Sequence, residues 1–366
     1  MTQDICSPDA LGRALPGVHP CDHRLETGQP GSCRLEADQL ETLLELPAMR
    51  CADTARMRGE PLQASAVRYH RFLLLEVPGP WGSSALDESR MDAGLTHQLA
   101  EAASAADTHV LLIRRPGRHP VARPGTGPAP LAWAIADTSA EVERVLWGSW
   151  CEPADLLGLD LAAPIPDDCA ATGPQRLALV CTNGKRDQCC AVRGRPVAAA
   201  VSAATDWDTW ECSHLGGHRF AATALLLPTG DMFGWLDPES APKILQRFDA
   251  GQIVLSNYRG RCGQSAEVQA ALHIAAVRLG DYRRGAVRVA SLRPLATAAD
   301  TGWPEDSADA GDQWEAVVTH RPNSSQETAY LMTMTRCRLA PTYLSCSDDK
   351  PKVEIRYEAA AFARIR

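Results

Sequence analysis

The sequence predicts an α/β protein with more than one folding unit, and three observations carry that reading. The chain has 366 residues, more than a single hydrophobic core usually organises. Short apolar runs of strand length alternate with Ala-rich helical stretches through residues 45–160 and again through 174–295, the order expected of layered sheet and helix. A third block, 312–366, carries the strand-like runs WEAVVTH, AYLMTMTRC and KVEIRYEAA and nothing helical. It reads as a small β-rich C-terminal appendage.

Residues 1–44 are rich in Pro, Gly and Asp and show no sustained period, so they read as an irregular leader. The spacing of Leu40, Leu43, Leu44 and Leu46 predicts a short helix within EADQLETLLELPAM. In the first unit, FLLLEV, HVLLIRR and LAWAIAD read as strands and LTHQLAEAASAA as a helix. The run TSAEVERVLW opens on Thr and Ser before Ala-Glu, an N-cap signature, and predicts a second helix. GLDLAAPIPDDCAATGPQ, residues 158–175, is a Pro- and Asp-rich joint between units.

The second unit opens on the strand RLALVC, followed by the helix RPVAAAVSAA, with Pro196 expected in its first turn. TWEC is a short strand, FAATALLLPTGDMFGWLD reads as two strands around a Pro-Thr-Gly-Asp turn, and PESAPKILQRFDAG and SAEVQAALHIAAVRLGDY are helices. This succession echoes the first unit in element order, as an internal duplication would, although not in residues.

A net charge of −8 argues against a sequence-independent nucleic-acid binder, which needs a basic surface. The N-terminus has neither the basic nor the apolar region of a secretory signal, and no apolar run approaches the ~20 residues that cross a bilayer. The expectation is a cytoplasmic protein that engages neither membrane nor nucleic acid. Thirteen cysteines, an odd number, then argue against a disulfide scaffold, because the cytosol keeps thiols reduced. Cys6, Cys21, Cys33, Cys51, Cys151, Cys169, Cys262, Cys337 and Cys346 are scattered singly and read as small packing residues. Cys181, Cys189, Cys190 and Cys212 crowd together and are the exception.

The chemistry concentrates in CTNGKRDQCCAVRGRP and WECSHLGGHRF. Cys181 ends a strand, and Cys189 and Cys190 are expected in the loop before the Pro196 helix, at the carboxyl edge of a sheet where α/β proteins place their sites. His214 and His218 flank Gly216 and Gly217. Two glycines disfavour a helix and favour a tight turn. Thiolates and imidazoles together suit zinc or an iron–sulfur centre. The first pair is C-x8-C, or C-x7-C through Cys189, which fits a C-x2–4-C zinc knuckle poorly. A 2Fe-2S cluster is larger and suits a wide loop facing a second loop.

Taken together, C-T-N-G-K-R-D-x-C-C, the following R-P, WECSHLGGHRF and YRGRCGQSAEVQAA resemble the sucrase/ferredoxin-like family, over about residues 60–295 and most densely over 176–282. The resemblance implies two thioredoxin-like lobes, the N-terminal one degenerate, and one 2Fe-2S cluster held by Cys181, Cys190, His214 and His218. Only the family pattern selects Cys190 over Cys189. Cys212, two residues before His214 in an extended segment, points to the other side and reads as core. No paired carboxylates support the sucrase half of the family name.

Exchanging two thiolates for imidazoles has a physical consequence. Two ferric ions and two sulfides balance two thiolates to zero net charge, whereas four thiolates leave a dianion, so histidine ligation raises the reduction potential. A ligating imidazole also keeps a second ring nitrogen that binds a proton more tightly once iron is reduced, so proton-coupled electron transfer is expected at His214 and His218. The implied function is a one-electron carrier with a redox protein as partner, rather than an enzyme with its own substrate. Lys185, Arg186, Arg193 and Arg219 form a candidate basic rim for that partner, and Asp187 a candidate ion-pair partner within it. Two other readings stay open: a thiol-dependent oxidoreductase using Cys189 and Cys190, and a structural zinc protein.

Overall fold

The computed structural model describes residues 50–89, 91–117, 130–139, 143–295, 313–322 and 326–365, with the side chains of 170 and 171 excepted. The leader, the helix expected over 36–49 and most of the acidic stretch after residue 295 lie outside the described residues.

Among the described residues, strands β1 (Arg71–Glu76), β2 (Thr108–Arg114), β3 (Leu131–Asp137), β4 (Arg144–Trp150), β5 (Leu177–Cys181), β6 (Asp208–Cys212), β7 (Ala224–Leu227), β8 (Asp231–Phe233) and β9 (Tyr258–Arg261) form one mixed sheet. Their order across it is β4-β3-β1-β2-β6-β5-β7-β8-β9. β1 pairs parallel with β2 and antiparallel with β3, which pairs antiparallel with β4. β5, β6, β7 and β8 repeat that succession of pairings in the same chain order. The two sets join where β2 meets β6 antiparallel, Ile113 opposite Cys212 and Arg114 opposite Glu211.

Helix α1 (Cys51–Met57) precedes the sheet, α2 (Ala93–Ala105) links β1 to β2, and α3 (Gln188–Ala204) links β5 to β6. α4 (Ser240–Asp249) and α5 (Ala266–Leu279) flank β9 in the chain. β1, RFLLLE, is buried almost throughout because both faces of the sheet are covered. Leu73 and Leu75 pack in a core with Leu99 and Ala103 of α2, while Phe72 and Leu74 face the opposite core with Leu179 and Trp210. A second four-stranded antiparallel sheet contains β10 (Val287–Pro294), β11 (Gln313–His320), β12 (Thr328–Arg338) and β13 (Ile355–Arg364) in that order. Ala270, Ala271 and Ala275 of α5 pack with Ala316, Val318, Met332 and Met334 of this sheet, small residues permitting the close approach.

Three local readings are corrected or sharpened. Within TSAEVERVLW, residues 140–142 lie outside the described residues, and 144–150 form not a helix but β4, whose Val145 is fully buried opposite Ala136. The Val-Leu-Trp stretch packs on the sheet, and that tertiary contact overrides the capping signal. The helix expected from Pro196 begins eight residues earlier, at Gln188, because Asp187 caps it: the Cys189 N–H donates to Asp187 Oδ1 at 2.9 Å. Cys189 and Cys190 therefore lie in the first helical turn and not in a loop. The 158–175 joint is not bare linker either, since Leu161, Ile165 and Cys169 are buried in the α2-side core.

Candidate metal centre

Cys181 ends β5 and is buried. The helix carrying Cys190 reaches it because Gly194 has no side chain: a Cβ there would lie 2.1 Å from the Cys181 carbonyl oxygen. Past the end of β6, the chain is held by Ser213, whose N–H donates to the Leu112 carbonyl at 2.8 Å and whose Oγ accepts from the Leu112 N–H at 3.0 Å. His214 follows. Gly216 and Gly217 take φ of +74° and +69°, a left-handed turn open to glycine. His218 then opens a short 3-10 turn over His218–Phe220.

Cys181, Cys190 and His214 each bring a ligand atom to within 4.8 Å of the others. His218 stands beside this group, its ring stacked on that of His214 with centroids 4.8 Å apart. The Nδ1 atoms of both histidines are buried and have no hydrogen-bond partner among the described residues. Two buried imidazole nitrogens without a partner are costly in a protein interior, and an electrophile beside two thiols removes that cost. The donor set therefore fits a thiophilic metal or an iron–sulfur cluster.

Electrostatics agree with that use. A hydrogen bond from Cys190 and one from His214 hold the buried Cys181 thiol well below its ordinary range, while Cys190, which shares the proton, is pushed up. Burial, helped by the neighbouring His214, lowers His218 to about 4, so its ring is neutral and able to ligate at physiological pH. Arg259 is buried against the histidine turn, with Nη1 donating to the Gly216 carbonyl at 3.0 Å and Nε to Ser65 Oγ at 3.0 Å. A Cβ at Gly217 would meet its Nη2 at 2.7 Å. Arg261, in contrast, turns to the Thr138 carbonyl and Glu143, away from this turn. Cys212 is fully buried in the core and belongs to no ligand group among the described residues.

The first turn of α3 also carries a second group. Cys51, Asp187, Cys189 and Cys346 bring their ligand atoms within 4.8 Å of one another. Thus Cys189 and Cys190, adjacent in sequence, each serve a different cluster. The sequence reads Cys51 and Cys346 as small packing or incidental residues; Cys51 does pack, with Ala52, Cys189 and Ala221, and the structure adds that both stand in a group able to hold a metal ion. They are 138 and 157 positions from Cys189, and no spacing rule finds ligands from three distant segments. Asp187 does not form the expected ion pair with the rim cations. It accepts from the Cys346 N–H at 2.8 Å and from Ser345 Oγ at 3.0 Å.

The rest of the basic rim divides. Arg193 pairs with Asp53, and Arg219 with Glu60 at 3.1 Å and Glu354 at 2.5 Å. Lys185 and Arg186 instead line an open cavity of about 600 Å³ with Arg114, Arg195 and Cys346.

A family model described as sucrase/ferredoxin-like matches residues 62–260, more than half of the 366-residue chain. The chain belongs to the sucrase/ferredoxin-like family. In this member of the family the match takes in Cys181, Cys190, His214 and His218, and it ends before the C-terminal sheet and Cys346. Neither a curated protein nor a solved structure matches the chain. No helix among the described residues is long and apolar enough to cross a membrane.

Proposed function

We propose that this protein is a cytoplasmic one-electron carrier with a single 2Fe-2S cluster held by Cys181, Cys190, His214 and His218, built on two thioredoxin-like lobes of which only the second keeps ligands. The observation that carries the reading is the convergence of Cys181, Cys190 and His214, with His218 stacked alongside and both Nδ1 atoms buried without a partner among the described residues. The repeated strand pairings of β1–β4 and β5–β8 support the two-lobe part.

When bound, the cluster supplies a site that accepts and releases one electron. Cys181 and Cys190 supply the thiolates. His214 and His218 ligate through one ring nitrogen each and hold an exchangeable proton on the other. Arg259 fixes the turn that aims them. The exposed Lys185, Arg186 and Arg195 around the neighbouring cavity offer an acidic redox partner a docking face.

Aerobically purified protein is expected to be red-brown, with iron and sulfide near two each per chain, as a 2Fe-2S cluster requires. Colourless protein carrying no iron overturns the reading. Its midpoint potential should fall with pH by about 59 mV per unit for each proton taken up with the electron. Replacing His214 and His218 with cysteine should keep the cluster, lower the potential and remove that slope.

A second reading, thiol-dependent redox chemistry at Cys189, has one observation behind it: the Cys189 sulfur lies 3.6 Å from that of Cys51 and 3.5 Å from that of Cys346. Iron-free protein with a reversible disulfide at Cys189 would favour it.

A further inference from the structure

We propose that Cys51, Cys189, Cys346 and Asp187 form a second metal centre, a closed zinc site that ties α1 and the C-terminal loop to the first turn of α3. The geometry of the three sulfurs is the first argument. Their separations are 3.6 Å for Cys51–Cys189, 3.5 Å for Cys189–Cys346 and 3.5 Å for Cys346–Cys51, a nearly equilateral triangle. A disulfide needs about 2.05 Å and selects one pair. Three equal edges select none. Tetrahedral zinc with Zn–S bonds of about 2.3 Å places its sulfurs about 3.8 Å apart, close to what is found.

The fourth position is filled by chemistry of the right kind. Asp187 Oδ2 and Oδ1 lie 3.6 and 3.7 Å from Cys51 Sγ, against the about 3.5 Å expected between an oxygen and a sulfur on one zinc. Asp187 is only 3% exposed, and among the described residues it forms no ion pair. A buried carboxylate without a cation is expensive, and a divalent ion in contact with it removes the imbalance. Its remaining lone pairs are already committed to the Cys189 and Cys346 amides and to Ser345 Oγ, the outer contacts that orient a metal-ligating carboxylate. The Cys51 N–H also donates to the Cys346 sulfur at 3.4 Å, a contact that favours thiolate over thiol.

Binding is balanced by the release of three thiol protons to solvent as zinc takes three thiolates and the carboxylate. Soft sulfur donors in a tetrahedral set select zinc over the oxygen-seeking divalent ions. Cys51 and Cys189 are buried and Cys346 is exposed, so an ion reaches the site from solvent past Cys346. The zinc cross-links segments 295 positions apart in the chain and fixes the turn on which Cys190 stands. This site does not depend on the electron-carrier reading, because zinc and iron are counted separately.

The test is metal analysis of the full chain, purified without chelator from zinc-supplemented cells. About one zinc per chain is expected, held with the strength of a thiolate site. Cys346→Ser should lower zinc at least about tenfold and leave iron unchanged, and Cys190→Ser should do the reverse. Zinc that survives in Cys346→Ser, zinc-free wild-type protein, or a Cys51–Cys189 disulfide found by thiol mapping each overturns the proposal. Should Cys346→Ser fail to fold, zinc-edge X-ray absorption of the unaltered chain still decides. Three sulfurs and one oxygen support the site, and two sulfurs with two nitrogens refute it.

Discussion

β1–β4 and β5–β8 pass through the same pairings, yet the chain leaves their first strands in opposite ways. After β1 it closes the sheet edge with apolar packing: Val77 and Trp81 are buried, and Trp81 Nε1 donates to the Val77 carbonyl at 2.9 Å. After β5 it places Cys181, then the Asp187 cap, then Cys189 and Cys190. The helices that follow are both capped by aspartate, Asp92 for α2 and Asp187 for α3. Topology and capping are thus shared, whereas the connection from strand to helix, over 77–92 in one set and 182–187 in the other, and the side chains it presents differ. The fold supplies a position, and residue chemistry decides whether it carries a tryptophan or groups able to hold a metal.

That contrast is broken most severely at the ligands. Cys190→Ser should abolish iron binding and colour, while Trp81→Ala, at the corresponding edge of the other unit, should leave iron per chain unchanged. Trp81→Ala should instead cost about 3–5 kcal/mol of stability, as large buried aromatics do. Metal analysis and denaturant titration of both variants check the pair. Loss of iron in Trp81→Ala would show that the first unit is part of the site.

The seam between the two strand sets, where β2 meets β6, gives the next effect. Arg114 bonds Glu211 at 2.7 Å and the Gly79 carbonyl at 2.6 Å, and its guanidinium lies 4.1 Å from the Trp81 ring centroid. Glu211 also accepts from Thr182 Oγ1 at 2.9 Å, one residue from Cys181. Removing one partner leaves a buried charge unpaired, so Glu211→Ala should cost about 3–5 kcal/mol by denaturant titration, with a single unfolding transition splitting into two if the units then part.

The smallest effect is a pH dependence with a contribution from each side of that seam. Burial lowers His109 on β2 from 6.5 to about 4, and burial also lowers His273 on α5 below 6.5. Between the unfolded and folded values the unfolded chain binds more protons than the folded one, so stability is full above pH 6.5 and falls as pH drops towards 4. Asp281 is held well below its ordinary value of 3.8 by its Arg283 hydrogen bond and sheds stability only below that ordinary value, so the two windows separate. Thermal melts should decline from about pH 6.5 to about 4, and His109→Phe should flatten part of that decline.

Much of the fold is legible in the sequence. LAWAIAD is β3 residue for residue, because an apolar run flanked by turn residues has few alternatives. His214 and His218 around two glycines announce a turn, and the glycines do take left-handed φ. TSAEVERVLW misleads because capping is a local signal while β4 is held by pairing with β3. The helix start at Gln188 is hidden by Pro196, whose preference for a first turn is weaker than the Asp187 cap in place.

By itself the sequence determined the α/β class, three of the four strands of the C-terminal sheet and the family, since periodicity and dense motifs are local properties of the chain; β10 (Val287–Pro294), inside the range read as the second unit, joined that sheet only in the structure. The sequence also marked Cys181, Cys189, Cys190, His214 and His218 as the candidates for ligation. Only the tertiary structure decided how they are shared. Consecutive helical residues point in different directions, so Cys190 turns to Cys181 and His214 while Cys189 turns to Cys51 and Cys346. That second partnership joins residues 295 positions apart, and a contact made by packing three separate segments leaves no spacing to read.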